Sequence, residues 1–145
     1  MSKPIVLQFH QKFFSGPETF IYNYISHLQN FAPLCYGWKY YNLDQFPIDS
    51  NKLFRPGFKD PLWSRVLYKC LLSMTGRNFL PIQLLDHVPI CLIHAHFGPQ
   101  GVYALKLKKR YGIPLCTTFY GYDISQFAKK KKWLSLYRKL FSDGD

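Results

Sequence analysis

The sequence predicts an α/β fold, an open, mostly parallel sheet with helices on both faces, and two observations carry that prediction. Short apolar runs alternate with segments of helical period in the first forty residues: a run at Pro4–Phe9, helical spacing from Phe20 to Leu28, and a second run at Pro33–Gly37. Further on, Ile90–Phe97, Gly101–Tyr111 and Ile113–Phe119 read as strand, helix and strand, the βαβ unit whose crossover is right-handed. Two such units make the sheet Rossmann-like.

The elements follow in order. Pro4–Phe9 is a strand, and the polar stretch after it leads into a helix. Ser15 and Glu18 stand at S-x-x-E capping-box spacing, and Pro17 is tolerated only in a first turn, so that helix is expected to start near Ser15 or Gly16. Pro33–Gly37 is the second strand. Residues 38–60 are rich in Tyr, Asn, Asp, Pro and Gly without a period, and read as a long loop with at most one short strand near Lys52–Phe54. Helical spacing returns over Pro61–Met74, and a shorter helix is expected over Leu80–Leu85. Ile90–Phe97 is a near-continuous apolar run ended by Gly98-Pro99, the pattern of a strand buried on both faces. Gly101–Tyr111 carries Lys106, Lys108, Lys109 and Arg110 in its last turns, where cations suit the helix dipole, and Gly112 is its stop. Ile113–Phe119 is another buried strand. Trp133, Leu136, Tyr137, Leu140 and Phe141 form the apolar stripe of a last helix that packs on the sheet, and Ser142–Asp145 read as loop.

Composition sets the outer limits. A chain of 145 residues with 48% apolar and 19% charged side chains is globular, and one Rossmann-like domain over residues 1–145 is the expected organisation. Eleven Tyr, 13 Phe and 3 Trp exceed what a core of this size hides, so some are expected at a groove, a membrane or a partner surface. The net charge is +11, of which residues 106–145 hold +7. Such asymmetry suits nucleic acid, anionic lipid or a phosphorylated substrate, and equally a solvated helix face. Cys35, Cys70, Cys91 and Cys116 show no C-x-x-C spacing and are expected to be reduced, buried small hydrophobes. The N-terminus lacks the apolar core of a signal peptide, and no apolar run approaches the roughly 20 residues that span a bilayer. The expected location is cytoplasmic, with any membrane contact peripheral.

Ligands of open parallel sheets collect beyond the carboxyl ends of the strands, where three loops are expected to converge on one crevice. In the first, Ser15, Gly16, Glu18 and Thr19 surround a helix N-terminus, suited to phosphate or sugar hydroxyls or, alternatively, to plain capping. In the second, His94 and His96 share one side of a strand. No further ligands stand at metal-binding spacing, so no metal is expected; His96, with Gly98, is assigned to a ligand and His94 to the core. In the third, Tyr120, Gly121 and Asp123 follow a strand directly, and Tyr120 or Asp123 either holds a sugar hydroxyl or, for Asp123, caps a helix beginning near Ile124. No G-x-x-x-x-G-K-[ST], G-x-G-x-x-G or G-x-S-x-G is present, which argues against P-loop, dinucleotide and serine-hydrolase chemistry.

Pro17-Glu-Thr-Phe-Ile21, Ile93-His-Ala-His-Phe-Gly98 and Gly112–Ser125, taken in order along the chain, resemble the N-terminal half of family 4 retaining glycosyltransferases, above all bacterial members that build exopolysaccharide and lipopolysaccharide chains. The resemblance implies a GT-B fold: two Rossmann-like domains across a cleft, the first holding the acceptor and the second the nucleotide-sugar. It places Glu18-Thr19 along the cleft, His96 at its floor and Tyr120-Gly121-Tyr122-Asp123 at the family's H-G-x-D position. Tyr120 stands where many members have His, and a phenol does not titrate near neutral pH. The donor-binding domain of such an enzyme is absent from these residues. The resemblance therefore implies an acceptor-side domain, inactive alone, that acts with a donor-binding domain or partner chain on a lipid-linked or polysaccharide acceptor, with no cofactor beyond the nucleotide-sugar co-substrate. Lys129, Lys130, Lys131, Lys132 and Trp133 are the candidate contacts to an anionic membrane surface. Two other readings stand beside it: a basic nucleic-acid-binding domain, ranked below for want of a stacking platform, and a non-catalytic subunit that pairs with a separate donor-domain chain.

Overall fold

The structure, a computed structural model, describes residues 3–16, 18–55 and 87–145. The helices expected at 61–74 and 80–85, and Cys70, lie outside the described residues. The strands are β1 (Ile5–Phe9), β2 (Lys12–Phe13), β3 (Ala32–Tyr36), β4 (Lys39–Tyr40), β5 (Leu53–Phe54), β6 (Ile90–His96) and β7 (Leu115–Thr118). Among the described residues the α-helices are α1 (Thr19–Ser26), α2 (Gly98–Tyr111) and α3 (Lys131–Asp143), with short helical turns at Ser50–Lys52 and Asp123–Phe127. Five strands form one sheet in the order β5-β3-β1-β6-β7 with every pairing parallel, and β2 and β4 pair separately. The fold is the Rossmann-like α/β sheet that the alternating pattern predicts.

Pleat alternation distributes the apolar residues to two cores. Leu7, Phe9, Tyr36, Ile93, Ala95 and Leu115 share one with Ala104, Leu105 and Leu107 of α2 and Tyr137 and Leu140 of α3. Cys35, on the other face, packs with Phe13, Phe14 and with Ile21 and Ile25 of α1. Helices therefore cover both faces. Ion pairs from Lys108 to Asp145 and from Lys109 to Asp143 (3.3 Å) tie α2 to the end of α3, and two of the excess cations are thereby paired.

Several local expectations are corrected. α1 begins at Thr19, not near Ser15, because the Glu18 carboxylate turns back to the Phe14 N–H and holds residues 14–18 in a turn. α2 begins at Gly98, three residues early, with Pro99 in its first turn; it ends as expected at Gly112, whose φ is +65°. The described part of the 38–60 segment contains β4 as well as β5, since the Tyr40 hydroxyl shares its one proton between the carbonyls of Cys35 (2.6 Å) and Phe54 (2.8 Å) and draws the loop onto the sheet. β7 is the edge of the described sheet, so Cys116 is exposed, as is Cys91; Cys35 alone of the described cysteines is buried, and all three are free. α3 runs on to Asp143, through Ser142. Its Trp133 packs against Phe127 and Tyr137 at 5.3 and 5.8 Å between ring centroids.

Gly101 marks the closest approach of α2 to the sheet. A Cβ there would meet the Thr117 side chain and lie 2.9 Å from Leu140 Cδ2. Gly101→Ala is expected to destabilise the fold by about 1–3 kcal/mol in urea unfolding, against a helix-propensity gain of about 1 kcal/mol. A neutral or stabilising result would contradict this packing.

Candidate functional site

Strand order reverses between β1 and β6: the chain moves from β1 outward to β3 and β5, then returns to lay β6 and β7 on the opposite side. The carboxyl ends of β1 and β6 are therefore the switch point, the place where open α/β sheets bind ligands. The three expected loops do meet there. His10, the first residue beyond β1, lies 5.2 Å from Phe97 and 6.5 Å from His96 between ring centroids. Phe20 of α1 packs on Tyr120 at 4.5 Å, and Tyr120 packs on Phe97 at 4.7 Å.

Below the crevice is a buried polar network around the Gln8 carbonyl, in which the Gln8 Nε2 amide alone is left without a partner. Gln8 pairs with His94 across the β1–β6 register, and its carbonyl oxygen accepts from His94 Nδ1 (3.0 Å) and His96 Nε2 (2.9 Å). A carbonyl only accepts, so each ring carries its proton on that side and its other nitrogen accepts. Thr118 Oγ1 then donates to His94 Nε2 (2.8 Å) and the Tyr120 hydroxyl to His96 Nδ1 (2.8 Å). Burial pushes His94 down to about 4, and burial with the neighbouring His94 and His10 holds His96 well below the usual imidazole range. Both rings are neutral near pH 7. His94 is the satisfied core residue that the sequence suggests. His96, fully buried with both nitrogens bonded, is sealed in the same way and does not itself reach a ligand, contrary to expectation.

Tyr120 links this floor to the crevice. Its phenol is pushed up to about 12, first by burial and then by Tyr24, Asp123 and Glu18, so it remains a neutral donor at any physiological pH. Asp123 is also corrected. Gly121, at φ +96°, turns the chain so that the Asp123 carboxylate, 2% exposed, points backward. Oδ2 accepts from the Gly98 N–H (2.7 Å) and Oδ1 from the Tyr120 N–H (2.9 Å). Asp123 thus caps α2, a helix some 25 residues upstream, rather than the turn beginning at its own position, and both oxygens are committed. Gly98 is buried against Phe119 and Tyr137 with its N–H committed to that carboxylate, so it contributes no free donor.

Glu18 remains facing the crevice. Its Oε2 accepts from the Phe14 N–H (2.7 Å), Ser15 Oγ donates to Oε1 (3.5 Å), and Oε1 faces His10 Nε2 at 3.4 Å. Ser15 and Thr19 are exposed, Thr19 on the first turn of α1, and Gly16 is half-buried with open space where a Cβ would stand. Phe14 (φ +59°) and Phe97 (φ +74°) hold positive φ on either side of this pair, a strain that non-glycine residues rarely carry and that concentrates at functional sites. Lys129 and Lys130, just before α3, and Lys131 and Lys132, in its first turn, are exposed; Trp133 is half-buried and directed inward, which corrects its assignment to a membrane surface.

His10, Gln8 and Phe97 went unassigned in the sequence. Signals existed for two of them: a polar residue within an apolar strand, and a histidine immediately after the central strand. For the positive φ of Phe97 there was none. Among the described residues no cluster of metal-ligating side chains occurs, and no helix is long and apolar enough to cross a membrane. No protein-family model matches the chain, and neither a curated protein nor a solved structure is significantly similar to it.

Proposed function

We propose that this chain is the acceptor-side domain of a retaining glycosyltransferase, which acts with a donor-binding domain to move a sugar from a nucleotide-sugar to a lipid-linked or polysaccharide acceptor at the inner face of the cell membrane. The observation that carries the reading is convergence: the segments that resemble family 4 enzymes, around Glu18, His96 and Tyr120–Asp123, meet at one crevice where strand order reverses. The crevice has aromatic walls and few polar groups, the make-up of a small-ligand site. The His94 and His96 rings, with both nitrogens bonded and their pKa values lowered by burial, and the high-pKa Tyr120 phenol do not act as bases near pH 7, which fits a floor that positions an acceptor while the departing diphosphate is stabilised from the facing domain. Exposed Lys129 to Lys132 support a peripheral anionic contact, each near-surface cation contributing about 1 kcal/mol.

Transfer from radiolabelled UDP-glucose, UDP-galactose and GDP-mannose to bacterial membrane lipids tests the proposal. The chain alone is expected to give no labelled lipid, and addition of a donor-binding domain from a family 4 enzyme is expected to give it. Turnover by the chain alone would overturn the proposal, as would salt-sensitive binding of duplex DNA with no response to any saccharide.

A further inference from the structure

Among the described residues, the His10 imidazole is the ring at the crevice whose two nitrogens both lack a hydrogen bond; the Gln8 Nε2 amide in the floor beneath it lacks one too. The His10 side chain is 9% exposed. Phe13 stands edge-on to the ring at 5.4 Å and Phe97 covers it at 5.2 Å, so the ring is held by packing and by the long approach of Glu18 Oε1 to Nε2, not by a hydrogen bond. A buried polar group without a partner is costly, and at a site of this kind such a group calls for a functional explanation. Beside Nε2, at 3.4 Å, is the Glu18 Oε1 oxygen, while Oε2 is fixed by the Phe14 N–H. A hydroxyl resting against both groups accepts from the imidazole N–H and donates to the carboxylate. Phe20, 41% exposed and packed on Tyr120, offers an aromatic face next to them.

The charge of the ligand follows from what already occupies the helix terminus. In a sheet of this kind the amide at the start of the helix after the switch-point strand is where a phosphate binds. Here that amide, Gly98 N–H, is taken by the Asp123 carboxylate, an anion built into the chain. Glu18 adds a second carboxylate, and an incoming phosphate meets two negative charges and no free donor at the terminus.

We propose that His10 and Glu18 form a hydroxyl-binding subsite for an uncharged saccharide residue, stacked against the Phe20 and Tyr120 rings, and that the crevice excludes phosphate from the start of α2. This deepens the acceptor reading and rests on it for the ligand's class. The test is a titration of the 15N-labelled chain with methyl α-glucoside, methyl α-mannoside, methyl β-galactoside and inorganic phosphate. At least one glycoside is expected to give saturable shifts at His10, Phe14 and Phe97, and phosphate none at Gly98. His10→Phe, which keeps the ring packing, and Glu18→Gln are each expected to weaken glycoside binding by about tenfold or more, with unchanged shifts in β3 and α3 as the check on folding. If His10→Phe does not fold, Glu18→Gln alone decides. Absence of any saturable glycoside response, binding that both variants retain, or phosphate shifts at Gly98 would overturn the subsite. Sugar transfer that survives in both variants contradicts the subsite and leaves the acceptor reading standing. Saccharide binding that depends on both residues, without transfer in the presence of a donor domain, does the reverse.

Discussion

Lowering the pH from 6.5 to 4 is expected to cost the fold about 3 kcal/mol from His94 alone, since each unit of displacement is worth about 1.4 kcal/mol. In the folded chain His94 titrates near 4, against about 6.5 when unfolded, so between these values the unfolded state binds the extra proton. Stability is therefore fully present above pH 6.5 and lost as the pH falls toward 4. His96 is displaced in the same direction and adds to the loss. The physical origin is the Gln8 carbonyl, whose two donors are already the two rings, in a buried setting that has no place for an imidazolium. Urea unfolding at half-unit steps of pH measures the effect, and His94→Asn is expected to flatten the slope by close to one proton. A stability curve level between pH 6.5 and 4 would contradict the buried network.

Replacement of Asp123 by Ala is expected to be among the most damaging single changes at the site, by about 3–5 kcal/mol. It removes both acceptors at once and leaves the Gly98 and Tyr120 amides without partners at a buried position. The Tyr137 hydroxyl still donates to the Asp123 backbone carbonyl (3.1 Å), so the loss isolates the carboxylate's contribution. Asp123→Asn keeps one acceptor and is expected to cost less. Chemical denaturation of both variants checks the ranking; a cost below about 1 kcal/mol for Ala would show that the carboxylate is not the cap of α2.

The architecture was legible because its signals are local. Apolar runs such as Ile90–Phe97 and the stripe of Tyr137 and Leu140 state directly which faces are buried, and the observed sheet follows them. The convergence of three loops was also legible, since it depends only on strand direction. The bonding of individual polar groups was not. Asp123 and Gly98 are 25 residues apart, and nothing in either segment shows that one caps the other. The capping-box spacing of Ser15 and Glu18 pointed to the correct residues but the wrong bond, because the Phe14 amide competes for the same carboxylate. His96 looked available because a strand end is usually open; the Tyr120 phenol closes it from across the crevice.

The central claim is that the crevice between the ends of β1 and β6 receives a saccharide acceptor. Its most direct test is an amide shift map of the labelled chain with a polyprenyl-diphosphate-linked disaccharide in detergent micelles, compared with the same lipid lacking its sugars. The expected result is a set of sugar-dependent shifts at His10, Glu18, Phe97 and Tyr120. Shifts that are identical with and without the sugars, or confined to Lys129–Lys132, would contradict it.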